Sequence, residues 1–399
     1  MRVLVLGGAG GMGGGGASLL MSYPEVESIV LADINKDAAD KFAARLNSPK
    51  ISTAWIDVTD KPRLVEMIKT FDVVLNAVGP FVKFGIPILE AAIEAGVDYV
   101  DVCDDHDATI GLLELDEEAK AAGITALICM GTTPGLSNVQ AKLAASKLDR
   151  VDVLKICWAV CNPPADKAKG TYLEAFASSS GRDLLTPAAW AHMVHVSTGD
   201  VPIWKDKQWD TMPALEYGEY VDFAEPLSRA ESYYLGHAEP VTLPRFINIE
   251  KFCACLGSLM PQVTRELRVE ARGHAEPEHP PILPDTPAWE PPPLWKDRGV
   301  WAGQAAIAEG TENGEYVRYT VRLMMGMPDN VSYNYSGQAI GVYMLGTGQV
   351  DKKGVLPPEA CLDPEPFFKE VARHYSNCSR ENLSPEDVIL VDREVLEAE

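Results

Sequence analysis

The sequence has few cysteines and few basic residues for its length. Its 8 cysteines among 399 residues are too sparse for a scaffold held together by disulfide bonds. Lysine and arginine number 35 against 58 acidic residues, which gives a formal net charge of -23. A surface this acidic repels the phosphates of nucleic acids and of anionic membranes, so we expect neither as a partner.

Long apolar runs are also missing. No segment reaches the length of a membrane-spanning helix, and a strand pattern already begins at residue 2, which leaves no room for a signal peptide. The pairs Cys157/Cys161 and Cys253/Cys255 are not CxxC motifs, and no second pair follows at zinc spacing. We therefore expect a cytoplasmic protein with reduced, buried cysteines and no structural metal.

Glycine, by contrast, is concentrated in LGGAGGMGGGG, residues 6–16, directly after the strand-like RVLVL. Gly8, Gly10 and Gly13 fit the GxGxxG fingerprint, in which glycines permit a tight turn and remove the Cβ atoms that would block a pyrophosphate. The N–H groups of the following helix would then face that anion. A flexible glycine turn is the alternative. Gly14 to Gly16 exceed what pyrophosphate binding needs, and we predict no function for them.

Apolar segments alternate with helical patterns through the first 130 residues, which predicts βαβ units around a doubly wound, Rossmann-type parallel sheet of the α/β class. The strands show little polar alternation, as expected when both faces are covered. Strands are predicted at 2–7, 28–33, 51–58, 72–78, 98–103 and 124–130, and helices at 17–22, 37–47, 61–71, 87–96 and 112–123.

Asp33 ends the second predicted strand, 20 residues after Gly13. An acid at this place pairs with the adenosine ribose hydroxyls and repels the extra phosphate of NADP, so the sequence favours NAD. Lys36 lies close enough to soften that repulsion, and NADP stays possible. The alternative is that Asp33 caps the next helix.

The regular alternation ends after Asn138. We predict a dinucleotide-binding domain over 1–138, a mixed α+β domain for substrate binding and dimerisation over 139–332, and a C-terminal segment, 333–399, that returns to the first domain. Two β-prone runs within 301–325 flank Asn313-Gly314, a typical hairpin turn. Eight prolines between 276 and 295 predict an extended surface connection there.

Ligands of open parallel sheets lie beyond the carboxyl ends of the strands, so the loops that follow the strands are expected to hold the cofactor. The predicted cofactor contacts are Gly8, Gly10, Gly11, Met12, Gly13, Asp33, Ile34, Asp57, Val58, Ala77, Val78, Gly79, Phe81 and Cys103. Among these, Asp57 could equally be an ordinary turn residue.

Three segments resemble the saccharopine dehydrogenase family, which includes lysine 6-dehydrogenase-like members. They are NAVGPFVKFGIPILEAAIEAGVDYVDVC (76–103), MGTTPGLSN (130–138) and GVLPPEACLDPEPFFKEV (354–371). The resemblance implies a split nucleotide domain, a second domain that binds substrate and often dimerises, and hydride transfer at a C–N bond. The sequence departs from several members after the fifth strand, where it has Asp104-Asp105-His106.

Amine oxidation needs a base that takes the ammonium proton. Asp104 is one candidate, because the neighbouring Asp105 raises one of the two pKa values by like-charge repulsion, and His106 is its alternative. The same residues could instead be a helix N-cap run. His237 is the second candidate, with Glu239 able to orient it, although a structural histidine is the alternative.

A substrate carboxylate would need a bidentate arginine, for which Arg182 is the first candidate and Arg245 the second. Either could also be an ordinary surface residue. The predicted substrate contacts are Asp105, Thr133, Asn138, Arg182 and Arg245.

Together these features predict an NAD(P)-dependent oxidoreductase, a homodimer, that acts on a CH–NH or CH–NH2 bond of an amino acid or its imine adduct. Two alternatives stay open. One is a reductase of another small polar C=O or C=C substrate, and the other is a sensor that binds NAD(P) without turnover.

Overall fold

The computed structural model describes residues 1–161, 187–225, 227–273, 301–323, 330–379 and 382–397. The chain divides into two compact units. The first comprises Met1–Leu136 and Val331–Leu362, and the second comprises the described residues of 137–280, 292–330 and 363–399. The predicted C-terminal segment, 333–399, is therefore divided between the two units.

The first unit is built on a sheet of seven parallel strands. Its order, β3-β2-β1-β4-β5-β6-β15, confirms the predicted doubly wound sheet and adds a strand from the C-terminal segment. The strands are β1 (Arg2–Leu6), β2 (Ser28–Asp33), β3 (Ile51–Trp55), β4 (Val73–Asn76), β5 (Asp98–Asp101), β6 (Thr125–Leu127) and β15 (Gly354–Leu356).

The centre of this sheet is β1, which pairs with β2 on one side and β4 on the other. Its residues 3–6 are all fully buried, as expected for a strand whose two faces are both covered. The strand order reverses between β1 and β4, and the carboxyl ends at such a reversal are where doubly wound sheets bind ligands.

Helices connect the strands of the first unit and extend from its C-terminal segment. They are α1 (Gly11–Leu20), α2 (Lys36–Leu46), α3 (Lys61–Ile68), α4 (Phe81–Ala95), α5 (His106–Leu113), α6 (Asp116–Ala122), the start of α7 (Leu136–Ala145), α11 (Asn330–Gly346) and α12 (Pro358–Cys361).

Helix α1 begins at Gly11, whereas the sequence predicted a helix only from residue 17. Glycine is needed at these helical positions because neighbouring side chains occupy the space where Cβ atoms would lie. A Cβ at Gly14 would lie 2.6 Å from the Phe42 ring, and one at Gly15 would lie 2.3 Å from the Tyr335 ring. Packing against α2 and α11 thus accounts for glycines that pyrophosphate binding does not require.

Two other helix predictions need correction. Helix α4 begins at Phe81 and has Pro87 in its interior, whereas the sequence predicted a helix that starts at Pro87. The predicted helix over 112–123 is two helices, α5 and α6, separated at Glu114 and Leu115. In both cases tertiary packing outweighs the local signals of proline and of apolar spacing.

The second unit is built on a nine-stranded mixed sheet with the order β10-β11-β12-β7-β13-β14-β16, to which β8 and β9 add beside β12. Only the β7–β12 pair is parallel. The strands are β7 (Arg150–Cys161), β8 (Asp200–Lys205), β9 (Gln208–Pro213), β10 (Gly218–Asp222), β11 (Arg229–Tyr234), β12 (Ile249–Leu259), β13 (Trp301–Glu312), β14 (Glu315–Leu323) and β16 (Ile389–Val395).

The predicted hairpin is confirmed by β13 and β14, which pair antiparallel around Asn313 and Gly314. Both turn residues have positive φ, at 50° and 86°, as the favoured two-residue hairpin turn requires. The helices of the second unit are the rest of α7, α8 (Pro187–Val196), α9 (Glu239–Phe246), α10 (Pro261–Gly273), α13 (Pro364–Ser379) and α14 (Pro385–Val388).

Cys157, Cys253 and Cys255 are buried in the central strands β7 and β12. The side chain of Cys161 and the proline-rich stretch 276–295 lie outside the described residues. Among the helices that the structure describes, none has the length and apolar character needed to cross a membrane.

The substitution Gly15→Ala should destabilise the first unit. Alanine usually stabilises a helix interior by up to about 1 kcal/mol relative to glycine. Here its Cβ would overlap the Tyr335 ring, and such overpacking costs about 1–3 kcal/mol. Thermal unfolding should therefore show a lower midpoint for the variant than for the wild type.

The matched control is Gly85→Ala, another glycine in a helix interior. Its Cβ would lie 3.3 Å from the edge of the Phe81 ring, which needs to shift by only a few tenths of an ångström. The unfolding midpoint of Gly85→Ala should therefore change much less than that of Gly15→Ala. A Gly15→Ala midpoint at or above the wild-type value would contradict the packing described here.

Candidate functional site

The turn between β1 and α1 brings backbone segments so close together that side chains would not fit. A Cβ at Gly13 would lie 2.4 Å from the Gly7 oxygen, and a Cβ at Gly8 would lie 2.8 Å from Leu31. Gly7 itself has a φ of +74°. Helix α1 follows with its first N–H groups at the carboxyl edge of the sheet, which is the geometry that binds a pyrophosphate. These residues fit a dinucleotide.

A residue far along the chain holds this turn in place. The Gln338 side chain, on α11, donates from Nε2 to the Met12 oxygen at 2.7 Å. Gln338 is fully buried, and its side chain also occupies the space that a Cβ at Gly16 would need. Gln338 is not among the predicted site residues, because no local sequence pattern links it to Met12, 326 residues away.

Asp33 lies at the end of β2 with its carboxylate toward the glycine turn. Oδ2 accepts from the Ala9 N–H and Oδ1 from the Asn35 N–H, each at 2.9 Å. Burial raises the pKa of Asp33, while these backbone hydrogen bonds oppose the rise. The cap of α2 is Asn35, which accepts from Ala38 N–H. The alternative of Asp33 as the helix cap is therefore wrong.

Lys36, which could have favoured NADP, is engaged elsewhere. Its Nζ lies 2.7 Å from an Asp40 oxygen and 3.2 Å from the Thr53 hydroxyl. The Lys36 ammonium and the Thr53 hydroxyl lower the pKa of Asp40. The charge of Lys36 is thus neutralised within α2 and β3.

The loops after β3 and β4 complete this edge of the sheet. Asp57 accepts hydrogen bonds from the Thr59 N–H and hydroxyl, which lower its pKa, so it forms a turn before α3. Asn76 Oδ1 accepts from Val78 N–H at 3.0 Å. Ile34, Val58, Ala77, Val78 and Gly79 are half-buried, and Phe81 is buried.

The last residue of β5, Asp101, has a buried carboxyl group and is not among the predicted site residues. Asp101 Oδ1 accepts from Cys129 N–H at 2.7 Å and from Cys103 N–H at 3.1 Å. Burial raises the pKa of Asp101 to about 6, against the effect of these two hydrogen bonds. Cys103, a predicted cofactor contact, is fully buried, and burial holds its thiol pKa well above the usual value.

The predicted Asp104-Asp105-His106 cluster lies between β5 and α5. Asp105 is buried and occupies the N-cap position of α5, but its side chain makes no capping hydrogen bond. Asp104 and His106 are half-buried, as is Thr133 in the loop after β6. The position of Asp105 agrees with the helix-start interpretation, whereas its side chain does not act as a cap.

His237 lies in the second unit beside Glu239, the first residue of α9. The two side chains are 3% and 0% exposed, and His237 Nδ1 lies 3.3 Å from Glu239 Oε2. The other oxygen of Glu239, Oε1, accepts from the Ser137 hydroxyl at 2.9 Å. Ser137 was not among the predicted site residues, since serine before a helical pattern gives no specific signal.

The remaining predicted substrate contacts have different surroundings. Asn138 is fully buried and donates from Nδ2 to the Thr242 hydroxyl at 3.2 Å. Arg245 is exposed, donates to the Val241 oxygen and lies 4.9 Å from the centre of the Trp209 ring. Arg182 lies outside the described residues.

The fold and the glycine turn define the first unit as a dinucleotide-binding domain. More specifically, residues 3–127 match the family model described as the saccharopine dehydrogenase NADP binding domain. The resemblance inferred from the sequence is thereby confirmed for this part of the chain, which is similar to the NAD(P)-binding domain of the saccharopine dehydrogenase family.

Curated relatives match parts of the chain. A carboxyaminopropylagmatine dehydrogenase from Synechocystis sp. is 29% identical over 147 residues, covering 35% of this chain and 36% of the relative. A carboxynorspermidine synthase from Vibrio cholerae is 26% identical over 233 residues, covering 56% of this chain and 50% of the relative. The chain thus spans half or less of the length of these relatives.

Among solved structures, the fold is similar to that of the saccharopine dehydrogenase (L-Glu forming) of Saccharomyces cerevisiae. The TM-score is 0.65 with 14% sequence identity, and the alignment covers 99% of both chains. At this identity the comparison establishes the fold and not the substrate.

Replacing Asp101 should change how stability depends on pH. In the folded protein this carboxyl releases its proton at about pH 6, and in the unfolded chain near pH 4 (about 3.9). Its stabilising contribution is therefore present below about pH 4 and is lost as the pH rises through 6. Between these two pH values, the free energy of unfolding of the wild type should fall by up to about 3 kcal/mol relative to that of Asp101→Asn.

Urea unfolding at several pH values measures this difference. Asn is the chosen replacement because it retains an oxygen that can accept from the N–H groups of Cys103 and Cys129. Asp98→Asn, at the other end of β5, is the control, since it removes the ion-pair partner of Lys353 at 3.5 Å and should destabilise the protein at neutral pH. Parallel pH curves for wild type and Asp101→Asn would contradict the pKa assigned to Asp101.

Proposed function

We propose that this protein is an NAD-dependent oxidoreductase that transfers a hydride at a C–N bond of an amino acid or its imine adduct. The observation that carries the proposal is the intact glycine turn, with Asp33 beside it, in a saccharopine dehydrogenase-type domain. The names of two relatives, a carboxyaminopropylagmatine dehydrogenase and a carboxynorspermidine synthase, support a substrate with a substituted amine.

The bound dinucleotide would accept a hydride from the carbon beside the nitrogen, or deliver one in the reverse direction. In the oxidative direction the substrate loses that C–H hydride and one N–H proton, which leaves a C=N bond. Water then adds to this carbon, and the adduct separates into a carbonyl compound and an amine. The protein must therefore hold the cofactor, position the amine and exchange protons.

The residues of the first unit fit the cofactor part of this task. The N–H groups at the start of α1 and the Gly8-to-Gly13 turn would receive the pyrophosphate. The Asp33 carboxylate would accept hydrogen bonds from the adenosine ribose hydroxyls. Because Asp33 is negatively charged and Lys36 is paired with Asp40, we propose NAD as the preferred cofactor over NADP.

For proton exchange we propose His237 and Asp104 as the candidate acid/base residues. His237 is held by a buried carboxylate, an arrangement that favours a fixed imidazole orientation. Asp104 follows β5 directly, at the carboxyl edge of the first sheet. Asp105, Thr133, Asn138, Arg182 and Arg245 stay proposed substrate contacts.

We also propose the domain division 1–138, 139–332 and 333–399, a cytoplasmic homodimer, and dimerisation through the second domain. The buried, free Cys157 and Cys255 thiols suit a reducing compartment. Light scattering on the purified protein checks the dimer, because a monomer has a mass of 43.4 kDa.

Asp33→Asn should reduce the preference for NAD over NADP by about tenfold, or about 1.4 kcal/mol. Asn retains an oxygen for hydrogen bonding but removes the charge that repels the 2′-phosphate of NADP. Titrations of NADH and NADPH binding to wild type and variant measure the ratio of the two dissociation constants.

Asp37→Asn is the matched control, since it removes an exposed acid from the first turn of α2 and should leave the ratio unchanged. A wild type that prefers NADP, or an unchanged ratio in Asp33→Asn, would refute the proposed role of Asp33.

Turnover is tested by following nicotinamide absorbance with NAD or NADP and a panel of amines that includes lysine, saccharopine and carboxynorspermidine. In the reverse direction, NADH or NADPH is combined with 2-oxo acids or aldehydes and amines. For an active substrate, His237→Ala or Asp104→Asn should lower kcat by about 10²- to 10⁴-fold, the usual contribution of an acid/base residue.

Cofactor binding to the same variants is the control and should match the wild type, because the proposed proton transfer is separate from dinucleotide binding. Turnover of ketones or enoyl compounds without amines would replace the proposed substrate class. Tight cofactor binding with no turnover of either class would identify a sensor instead.

A further inference from the structure

The second unit contains a buried chain of three polar side chains: Ser137, Glu239 and His237. Their exposed fractions are 1%, 0% and 3%. The Ser137 hydroxyl donates to Glu239 Oε1 at 2.9 Å, and Glu239 Oε2 lies 3.3 Å from His237 Nδ1. A charged group so deeply buried is costly unless its partners satisfy it. Oε1 has the Ser137 hydroxyl as its donor, whereas Oε2 and His237 Nδ1 lie close together without the geometry of a hydrogen bond to each other.

The chain is fixed at both of its ends. Ser137 lies in the first turn of α7, and the next residue, Asn138, bonds to Thr242 on α9. Glu239 is the first residue of α9, where the helix dipole favours a carboxylate. Helices α7 and α9 are therefore tied together twice, by Ser137–Glu239 and by Asn138–Thr242.

The imidazole of His237 is enclosed by groups from several elements. The Trp158 ring of β7 lies 5.7 Å away between centroids, and the His192 ring of α8 lies 5.5 Å away, edge-on. Cys255 of β12 is also adjacent. Among the residues that the structure describes, the titratable groups close to His237 are thus His192, Glu239 and Cys255, and Glu239 is the one carboxylate among them.

We propose that Ser137 and Glu239 are positioning residues that hold the His237 imidazole with Nδ1 toward the carboxylate, so that Nε2 is the nitrogen that exchanges a proton with substrate. This inference rests on the proposed function. A carboxylate that accepts from Nδ1–H fixes the tautomer and stabilises the imidazolium form, and it leaves Nε2 as the basic nitrogen of the neutral ring.

The same cluster includes ligand types that zinc uses, since one ligand atom each of His237, Glu239 and Cys255 lie within 4.8 Å of one another. Burial holds the pKa of the Cys255 thiol well above its usual value, and the Glu239 charge adds to this effect. Because zinc binds a thiolate and Glu239 already accepts from Ser137, the observations favour the positioning role.

The test is 15N NMR of the full-length protein labelled with 15N-histidine, which distinguishes the two tautomers of the neutral ring, with His237→Gln used to assign the His237 signals. In the wild type, Nδ1 should carry the proton of the neutral ring. In Glu239→Gln, which keeps the shape but loses the charge, the fraction of the Nε2-protonated tautomer of His237 should rise. If an amine is turned over, kcat should fall about tenfold or more with a nearly unchanged KM.

A second variant covers the case in which Glu239→Gln does not fold. Ser137→Ala keeps the carboxylate but removes its anchor, so the fraction of the Nε2-protonated tautomer of His237 should rise. The matched control is Ser258→Ala. Ser258 is another buried serine, which donates to the Glu231 oxygen at 2.8 Å, and its replacement should leave the His237 tautomer unchanged.

Three results would overturn the inference. They are a wild-type His237 protonated on Nε2, a tautomer unchanged in a folded Glu239→Gln variant, and one equivalent of zinc retained through dialysis in wild type but not in Cys255→Ser. The tautomer measurement does not depend on turnover. A tautomer that changes in Glu239→Gln without any active amine would support the positioning by Glu239 and refute the proposed function. Activity that requires His237, with a tautomer unchanged in Glu239→Gln, would do the reverse.

Discussion

The close approach of backbone at the first turn is the constraint on which the first unit depends. The start of α1 can lie directly over the end of β1 only because Gly13 has no Cβ to meet the Gly7 oxygen. That approach brings the N–H groups at the start of α1 to the carboxyl edge of the sheet, where an anion can reach them. It also places the Ala9 N–H against Asp33, so that the proposed pyrophosphate site and the carboxylate proposed to bind the ribose belong to one local geometry.

The C-terminal segment contributes to this geometry although it is distant in sequence. Helix α11 packs Tyr335 against Gly15 and bonds Gln338 to Met12, while β15 extends the same sheet beside β6. The following residues join the other unit, where β16 pairs with β14. A single stretch of chain thus supports the nucleotide turn and then completes the second sheet.

Polar burial is used differently in the two units. In the first, Asp101 is held by two backbone N–H groups, and its pKa of about 6 shows that burial outweighs them. In the second, Glu239 Oε1 accepts from the Ser137 hydroxyl, and Oε2 lies 3.3 Å from the imidazole of His237. The first arrangement ties together the loops after β5 and β6, whereas the second joins α7 to α9 beside the His237 imidazole.

Local signals in the sequence were sufficient for the parallel sheet, the glycine turn, the end of β2 at Asp33 and the hairpin at Asn313-Gly314, because each depends on residues close together in the chain. The same signals misplaced the starts of α1 and α4, since glycine and proline weaken a helix locally and only packing shows that they are tolerated. The partners of Gly15, Met12 and Glu239 depended on tertiary structure. Contacts between residues about 100 to more than 300 positions apart leave no periodic pattern, and only the folded chain brings them within bonding distance.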